Sequence, residues 1–322
     1  MISTRDRRAD LEVTCSKLMK LRPKPDEVLI CADGCLDNTA EMLRSCFPEF
    51  RVIENPFPRG SVYSRDRLLR SARGDIVLSL DDDSYPLHRD FFQRLAAVFL
   101  EHPEAAVVVL PELRDGNQFA APDKTDTSDG HYVSAYANCA AAMRRDFYLR
   151  QPGFPEFFHH LYEEPDYALQ CYAAGKSVWF EPSLVVRHHE SRVNRRPVQR
   201  HHFNARNELW SVWLRCPWPW LPLVSAYRVL PQFLYACSEG PAWAMREPVW
   251  WFSAFKGRRQ CVRFRQPVVW RSYYHWMRLA RAPVYSVNDL RKKFPAPWEK
   301  HLMSREEEPL ALPGIKPGRR CA

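Results

Sequence analysis

Three consecutive carboxylates, Asp81, Asp82 and Asp83, come directly after the apolar run IVLSL at residues 76–80. Carboxylates this close repel one another unless a divalent cation or solvent neutralises part of their charge. Mg²⁺ and Mn²⁺ prefer oxygen ligands, and proteins often hold Mg²⁺ through one or two carboxylates together with the phosphates of a substrate. The cluster therefore predicts a metal site at the end of a strand, and a solvated acidic loop is the alternative that these residues alone leave open.

Two further groups follow other strand-like segments. Asp33 follows the apolar run EVLICA, and the pair His188-His189 follows the strand-like residues 184–186. In open α/β sheets, ligands bind in the crevice beyond the carboxyl ends of the strands, so we expect Asp33 and the three aspartates to border one crevice. Imidazole is a frequent metal ligand, although a histidine pair on a surface loop is often only solvated.

A third acidic group, formed by Glu163, Glu164 and Asp166, lies at the start of a helix-like segment over about residues 165–174. A positioned carboxylate can take a proton from a reacting hydroxyl, which makes these residues candidate general bases. Acidic residues also stabilise the first turn of a helix through the helix dipole, and this plainer interpretation fits the same residues.

The elements that position these groups alternate between strand-like and helix-like segments. The strand-like runs lie at residues 27–32, 76–80 and 105–110, and helix-like segments separate them at 37–46, 61–72 and 88–101. This alternation predicts an α/β fold with a mostly parallel sheet covered by helices on both faces. Residues 111–131 are polar and rich in turn-forming residues, which predicts a surface loop.

Three segments, in this order and spacing, resemble family 2 glycosyltransferases of the GT-A fold, of the rhamnosyltransferase-like type that serves polysaccharide biosynthesis. They are residues 32–37 (ADGCLD), 73–86 (RGDIVLSLDDDSYP) and 163–169 (EEPDYAL), and the resemblance extends over about residues 2–210. It implies a Rossmann-like GT-A catalytic domain that transfers a hexosyl or deoxyhexosyl group from a nucleotide-diphosphate sugar to an acceptor hydroxyl. The acceptor is implied to be a glycan or a lipid-linked molecule of cell-surface polysaccharide or glycolipid synthesis.

The resemblance also implies which residues bind the donor. Asp33 matches the acidic residue that contacts the nucleoside, and Thr4 and Arg5 match the end of the first strand beside the same pocket. Arg65 matches a basic residue that approaches the nucleotide. Asp81 matches the first position of the DxD motif, which holds the ribose or shares the metal, and Asp82 fills the variable middle position of the motif.

The implied metal is Mn²⁺ or Mg²⁺, with Asp83 as a direct ligand, Asp81 sharing it and His188 completing the site. Glu163-Glu164 resembles the ED motif, whose second residue is the general base, although this chain has Glu164 where the family has aspartate. Asp166 is the reserve candidate for that base. A single displacement of the leaving diphosphate by the acceptor oxygen inverts the anomeric configuration.

The start of the chain departs from the family pattern. The family opens with a strand of five to seven apolar residues, whereas this chain has only Met1-Ile2 before residues 3–6. We therefore expect a truncated first strand or a natural start further upstream. A catalytically impaired relative that only binds nucleotide-sugars is the alternative function that this departure keeps open.

Charge divides the chain into two parts. Residues 1–181 have 22 Lys and Arg against 29 Asp and Glu, whereas residues 182–322 have 25 against 9. The ten cysteines form no Cys-x-x-Cys pair and residues 1–10 are polar, which predicts reduced thiols, no signal peptide and a cytoplasmic location. The basic second part is expected to attract an anionic partner.

The basic part also contains ten of the eleven tryptophans. They are Trp210, Trp213, Trp218, Trp220, Trp243, Trp250, Trp251, Trp270, Trp276 and Trp298. Tryptophan and arginine together suit the interface of an anionic membrane, whereas a helical subdomain that buries its tryptophans against the catalytic core explains them equally well. We therefore predict a catalytic domain at residues 1–205 and a helical extension at residues 206–322 that attaches peripherally to the inner face of the cytoplasmic membrane.

Two other function classes fit less well. A nucleotidyltransferase usually has a glycine-rich phosphate loop near its N-terminus, and this sequence has none. The arginines and aromatics of residues 258–281 are of the kind that bind nucleic acid, but no binding signature accompanies them and the acidic first part would repel a polyanion. We therefore expect no nucleic-acid partner.

Overall fold

The computed structural model describes residues 1–115, 119–120, 129–189 and 196–294. Its strands are β1 (Ile2–Thr4), β2 (Leu29–Asp33), β3 (Arg51–Asn55), β4 (Ile76–Asp81), β5 (Ser84–Pro86), β6 (Ala105–Val109), β7 (Glu112–Arg114), β8 (Phe119–Ala120), β9 (His131–Tyr132), β10 (Ala140–Arg144), β11 (Ser177–Phe180) and β12 (Val186–His188). Its helices are α1 (Arg8–Leu18), α2 (Thr39–Cys46), α3 (Ser61–Ser71), α4 (Phe91–Glu101), α5 (Arg145–Leu149), α6 (Glu163–Ala173), α7 (Pro197–Arg215), α8 (Leu221–Ser238), α9 (Pro241–Ala244), α10 (Glu247–Lys256), α11 (Arg258–Arg263), α12 (Trp270–Leu279) and α13 (Val287–Lys293). A short 3₁₀ turn spans Glu156–Phe158.

The main sheet has the strand order β3-β2-β1-β4-β10-β6-β11-β9. Strands β3, β2, β1 and β4 are parallel neighbours, and so are β6 and β11, whereas β10 runs antiparallel between β4 and β6. Burial on both faces explains the apolar runs, since every residue of β2 and β6 is buried. The prediction of an α/β fold with a mostly parallel sheet is confirmed.

The short strand β1 occupies the centre of this parallel set. It pairs with β2 on one side and with β4 on the other, and its Ile2 side chain is 1 % exposed. Because β1 and β4 are parallel neighbours, their carboxyl ends bring Thr4 close to the aspartates that follow β4. The geometry of the sheet thus places the first residues of the chain at the predicted crevice.

A second, four-stranded sheet with the order β5-β12-β7-β8 lies beyond β4. The prediction of a surface loop over 111–131 is wrong at its β7 and β8 residues and at β9, which form strands. In this sheet His188 of β12 pairs with Ser84 of β5 and with Arg114 of β7. The second sheet therefore places His188 next to Ser84, the residue that follows the aspartate cluster.

Helices make up most of residues 197–294, which we call the helical extension, whereas residues 1–189 form the sheet region. Helix α7 runs without interruption across the predicted boundary between residues 205 and 206 and packs against α8 and α10. Trp210, Trp250 and Trp276 are buried, whereas Trp218 is 67 % exposed. Trp298 lies outside the described residues. Among the helices that the structure describes, none has both the length and the apolar character needed to cross a membrane.

Candidate active site

Arg65 joins the end of β4 to the start of α6. One guanidinium nitrogen is 2.6 Å from Asp81 Oδ1 and the other is 2.8 Å from Glu163 Oε1. Asp81 and Glu163 belong to two motifs that are far apart in the sequence, and Glu163 is completely buried. A buried carboxylate needs an ionic or hydrogen-bonding partner, so Arg65 fixes the distance between the aspartate cluster and the Glu163-Glu164 pair.

The other two aspartates of the cluster are held by Arg7, which the sequence did not single out. Arg7 Nη1 is 2.6 Å from Asp82 Oδ1, and Arg7 Nη2 is 2.6 Å from Asp83 Oδ2. Thr4 donates a hydrogen bond of 2.8 Å to the second oxygen of Asp82. Burial raises the pKa of Asp82 to about 7, against the opposing effect of the Arg7 charge. Asp82 therefore supports the cluster from within rather than facing solvent.

His188 completes this corner of the site. Its Nε2 lies 3.3 Å from Asp83 Oδ1 and 3.9 Å from Asp81 Oδ2, and its Nδ1 lies 2.7 Å from Glu112 Oε2. Burial alone would lower the pKa of His188, but hydrogen bonds to Asp83, Cys139 and Glu112 raise it well above its ordinary value. Glu112 was not predicted, because it lies in the segment that the sequence indicates as loop.

The donor atoms around His188 suit a divalent cation. One oxygen of Asp81, the thiol sulfur of Cys139 and one nitrogen of His188 lie within 4.8 Å of one another, and Asp83 borders the same imidazole. Glu112 accepts at the far nitrogen, the arrangement in which a second-layer carboxylate orients a metal-binding histidine. The predicted ligands Asp81, Asp83 and His188 therefore come together in the fold and fit a Mn²⁺- or Mg²⁺-type ion.

The Glu163-Glu164 pair stands beside Asn138, a second residue that the sequence did not indicate. Asn138 donates its side-chain amide to Glu163 at 3.1 Å and its backbone N–H to Glu164 at 3.3 Å. Glu163 Oε2 and Asn138 Oδ1 are buried and have no hydrogen-bond partner within the described part of the chain. Burial, followed by repulsion from Glu163, raises the pKa of Glu164 to about 8.

Asp166, the reserve candidate for the base, makes contacts of a different kind. Its two oxygens accept hydrogen bonds from Ser211, Gln170 and Arg215, and the Arg215 Nη2 distance is 2.9 Å. Asp166 and Arg215 are both buried, so this ion pair fastens the first turn of α6 to α7. The structure thus places Asp166 between the sheet region and the helical extension.

Asp33 lies at the carboxyl end of β2, as predicted, and it orders the turn that starts α3. Its oxygens accept from the backbone N–H groups of Arg59 and Gly60, at 2.9 and 2.8 Å, and from Asn55 at 2.7 Å. Gly60 has a φ of +95°, and a β-carbon there would overlap the carbonyl oxygen of His159, so only glycine fits. Arg5 is more than half exposed and lies 3.7 Å from Asp6.

An unusual backbone segment leads into the Glu163-Glu164 pair. His159, Leu161 and Tyr162 have φ values of 67°, 70° and 70°, in the left-handed region that residues with side chains adopt at a cost. The side-chain amide of Asn207, on α7, donates to the carbonyl oxygens of Phe158, His160 and Leu161 at 2.8 to 3.1 Å. Asn207 is completely buried, and it holds this segment in place from the helical extension.

Comparisons with known proteins agree with this architecture. The family model described as glycosyl transferase family 2 matches residues 1–152. The structure of S. aureus TarS 1-349 is similar with a TM-score of 0.58 at 15% identity, over 94% of this chain and 90% of that chain. The mannosyltransferase PcManGT from Pyrobaculum calidifontis, in complex with GDP-Man and Mn²⁺, gives a TM-score of 0.52 at 15% identity, over 80% of this chain and 85% of that chain.

A third similar structure is GalNAc-T7 with UDP, GalNAc and Mn²⁺, which gives a TM-score of 0.55 at 14% identity. That match covers 69% of this chain and 48% of that chain, so this chain spans about half the length of GalNAc-T7. TarS 1-349 has also been crystallised in complex with UDP-GlcNAc. No curated protein matches the chain in sequence.

The segment matched by the family model contains the strands β1 to β4 and the residues Asp33, Arg65 and Asp81 to Asp83. Residues 1–152 therefore match glycosyltransferase family 2, and the solved structures show that the fold of the chain is the GT-A fold. The resemblance inferred from the three sequence segments is supported by the family model over this segment and is confirmed for the fold.

Proposed function

We propose that this chain is a metal-dependent glycosyltransferase that moves a sugar from a nucleotide-diphosphate sugar onto an acceptor hydroxyl with inversion. The observation that carries the proposal is the double ion pair of Arg65, which brings the aspartates after β4 and the glutamates of α6 to one site. A protein that only binds a nucleotide-sugar needs the aspartates but not the glutamates. A transferase needs both, because one group binds the donor diphosphate and the other activates the acceptor.

At the donor side, Asp83, Asp81 and His188 would hold a Mn²⁺ or Mg²⁺ ion, and Glu112 would orient the histidine. Such an ion would supply electrostatic stabilisation for charge that develops on the leaving diphosphate. Arg7 keeps the carboxylates of Asp82 and Asp83 in place by its two ion pairs. Removal of Arg7 is therefore expected to disorder the donor side without touching the acceptor side.

At the acceptor side, Glu164 is the general base and Glu163 is its positioning neighbour. The raised pKa of Glu164, about 8, suits a base that must take a proton from a hydroxyl near neutral pH. The unpaired oxygens of Glu163 and Asn138 are available to accept from hydroxyl groups of a sugar. The activated oxygen attacks the anomeric carbon from the face opposite the leaving group, through an oxocarbenium-like state, so the product is inverted.

The nucleoside part of the donor lies in the crevice bordered by Asp33, Thr4 and Arg5. Asp33 shapes this pocket because its carboxylate fixes the turn at Arg59 and Gly60. Arg65 pairs with Asp81, one of the proposed metal ligands, so its guanidinium would be placed to meet a phosphate of the donor.

The acceptor is a glycan or a lipid-linked molecule of cell-surface polysaccharide or glycolipid synthesis. The chain is proposed to act in the cytoplasm, peripherally attached to the inner face of the cytoplasmic membrane, where lipid-linked acceptors are found. The basic, aromatic composition of the helical extension supports this location. The same proposal assigns catalysis to a domain at residues 1–205 and membrane attachment to residues 206–322.

Thermal unfolding with a panel of UDP-, dTDP- and GDP-sugars, each with Mn²⁺ and with EDTA, tests the donor site. A ligand that binds only the folded chain raises the melting temperature, so one nucleotide should stabilise the chain in Mn²⁺ and lose most of that effect in EDTA. The variant Asp83→Asn should lose the difference between Mn²⁺ and EDTA. No stabilisation by any nucleotide would contradict the proposal and favour an impaired relative.

A further inference from the structure

Helix α8 has a solvent-facing side that is apolar along its whole length. Of its eighteen residues only Val224 and Ala236 are buried. Leu223, Leu230 and Leu234 are 57 to 64 % exposed, and their spacing of seven and four residues aligns them on one side of the helix. A helix on the surface of a soluble domain normally presents charged and polar residues there, whereas this side is apolar and is left uncovered by the described part of the chain.

The opposite side of α8 is fixed to the rest of the chain. Arg228 Nη1 lies 3.1 Å from Glu208 on α7, and Gln232 donates to the same carboxylate at 2.6 Å. The only ionic side chain within α8 therefore points inward and is paired. The helix is held in one orientation, which keeps its leucines on the outside.

The apolar side continues onto α10. The rings of Phe233 on α8 and Trp251 on α10 lie 6.0 Å apart, and Phe252 and Phe255 are 61 and 56 % exposed. We call eight of the exposed apolar side chains of α8 and α10 the α8–α10 face. They are Leu223, Tyr227, Leu230, Leu234, Val249, Trp251, Phe252 and Phe255.

Cations border this face. The Lys256 ammonium lies over the Phe252 ring at 4.5 Å, and the Arg258 guanidinium lies over the Phe255 ring at 3.9 Å. Residues 216–285 contain ten lysines and arginines but only two acidic residues, of which Glu247 is completely buried. An apolar, aromatic face with long cationic side chains at its rim matches the boundary between the acyl chains and the head groups of an anionic bilayer.

We propose that the α8–α10 face is the surface by which the chain docks on an anionic lipid bilayer, with its leucines and phenylalanines at the level of the acyl chains and Lys256, Arg258 and Arg259 at the head groups. The proposal deepens the membrane location given under the proposed function and rests on it, by assigning the docking to one face. The same face would also suit a second copy of this chain, but two such faces would bring their cations together and repel each other.

Flotation with vesicles of phosphatidylcholine alone, and of phosphatidylcholine with phosphatidylglycerol, tests the docking surface. The full chain should float with the anionic vesicles, and raised salt should weaken this binding. The variant Leu230→Glu with Leu234→Glu should lose it. Leu100→Glu with Leu149→Glu, at exposed leucines of α4 and α5, is the matched control and should bind as the unchanged chain does.

A second variant keeps the apolar face and removes charge. Arg258→Ala with Arg259→Ala should weaken binding to anionic vesicles by a factor of roughly 20–30, since each basic residue near such a surface contributes about fivefold in affinity. Nucleotide-sugar stabilisation, measured on the same proteins, should be unchanged in all variants, which separates failure of docking from failure of the donor site.

Three results would overturn the proposal. One is the absence of flotation with anionic vesicles although the chain is folded and binds a nucleotide-sugar. Another is equal loss of flotation in the Leu100 and Leu149 control. The third is light scattering that shows a dimer for the unchanged chain and a monomer for Leu230→Glu with Leu234→Glu, without vesicle binding, which would assign the face to a second copy.

Discussion

The candidate site in the sheet region and the outer surface of the helical extension hold their charges in opposite ways. In the sheet region the carboxylates Asp82, Asp83 and Glu163 are buried, and arginines neutralise them at distances below 3 Å. In the helical extension Lys256 and Arg258 lie on the surface beside exposed phenyl rings. Buried charges must find partners inside the chain, whereas exposed ones are available to partners outside it.

This difference separates two kinds of function within one chain. The paired carboxylates are fixed in advance, which suits a site that must bind a metal and a diphosphate in one geometry. The exposed cations and aromatic rings are not fixed to any one ligand, and they suit an extended surface such as a bilayer. The contacts that join the regions include the buried ion pair of Asp166 with Arg215 and the hydrogen bonds of Asn207.

The largest effect is expected at Glu164, the proposed general base. Glu164→Gln removes the proton acceptor but keeps the shape of the side chain, so the transfer rate should fall by about 10²–10⁴-fold. Stabilisation by the nucleotide-sugar should stay unchanged, because Glu164 is not at the donor side. Rates of sugar transfer and melting temperatures, measured on the same preparations, check both statements.

Glu49→Gln, at an exposed glutamate of the sheet region, is the control and should keep the full rate. Full activity of Glu164→Gln would remove Glu164 from the role of base. Glu163 would then be the next candidate for the general base, since Asp166 is paired with Arg215.

The next largest effect concerns the contact between the two regions. Asp166→Ala leaves the buried Arg215 guanidinium without its carboxylate, so the free energy of unfolding should fall by about 3–5 kcal/mol. Urea unfolding followed by tryptophan fluorescence measures this change. Asp146→Ala removes an exposed ion pair with Arg150 and should cost less than about 1 kcal/mol. Equal costs for the two variants would show that Asp166 does not fasten the regions together.

The fold could be predicted from sequence where long apolar runs are followed directly by acidic residues. The runs before Asp33 and Asp81 are buried parallel strands, and parallel neighbours necessarily end at the same edge of the sheet. The order of the three family segments added the position of Glu163 and Glu164. These features depend on local pattern or on resemblance, and both are visible in a single sequence.

The residues that sequence reasoning missed depend on contacts between distant segments. Glu112 meets His188 only because β5, β7 and β12 form a sheet, and each of these strands has three residues, too few for a periodic signal. In the sequence, nothing distinguishes Arg7 from a surface arginine that precedes a helix. Only the fold brings it beside Asp82 and Asp83. Asn138 and Asn207 lie in segments whose partners are 25 or more residues away in the chain.

A pH profile sharpens the assignment of the base. The pKa of Glu164 is raised to about 8 by burial and by the charge of Glu163, and only the deprotonated carboxylate can accept a proton. The transfer rate at saturating donor and metal should therefore rise about tenfold per pH unit below pH 8 and level off above it. Initial rates between pH 6 and 9 measure this profile. A rate that does not change with pH would place the titrating group elsewhere.

A smaller effect is expected at Glu112, which contacts the proposed metal ligand His188. Glu112→Gln removes the carboxylate that accepts from His188 Nδ1, which should weaken Mn²⁺ binding by about 10–100-fold. Titration of Mn²⁺ against the activity, or against the nucleotide-dependent melting temperature, gives the affinity. Glu101→Gln, at an exposed glutamate of α4, should leave it unchanged. An unchanged affinity in Glu112→Gln would mean that His188 does not bind the ion.

The smallest effect tests whether the helical extension positions the base. Asn207→Ala removes the side-chain amide that donates to three carbonyl oxygens of the segment before Glu163. Those of His160 and Leu161 lose this donor, whereas that of Phe158 keeps the Arg206 guanidinium, so stability should fall by about 1–3 kcal/mol. Because the segment holds positive φ values at three residues, we expect it to relax and displace Glu164. kcat should then fall by roughly tenfold while the KM for the donor stays the same.

Asn288→Ala, at an exposed asparagine of α13, is the matched control for stability and for rate. A loss of stability alone, with kcat unchanged, would show that Asn207 only packs the extension against the sheet region. A loss of kcat that exceeds the loss of folded protein would show that the helical extension sets the position of Glu164 through its inner face. The outer face of the same extension is the one proposed to lie on a bilayer.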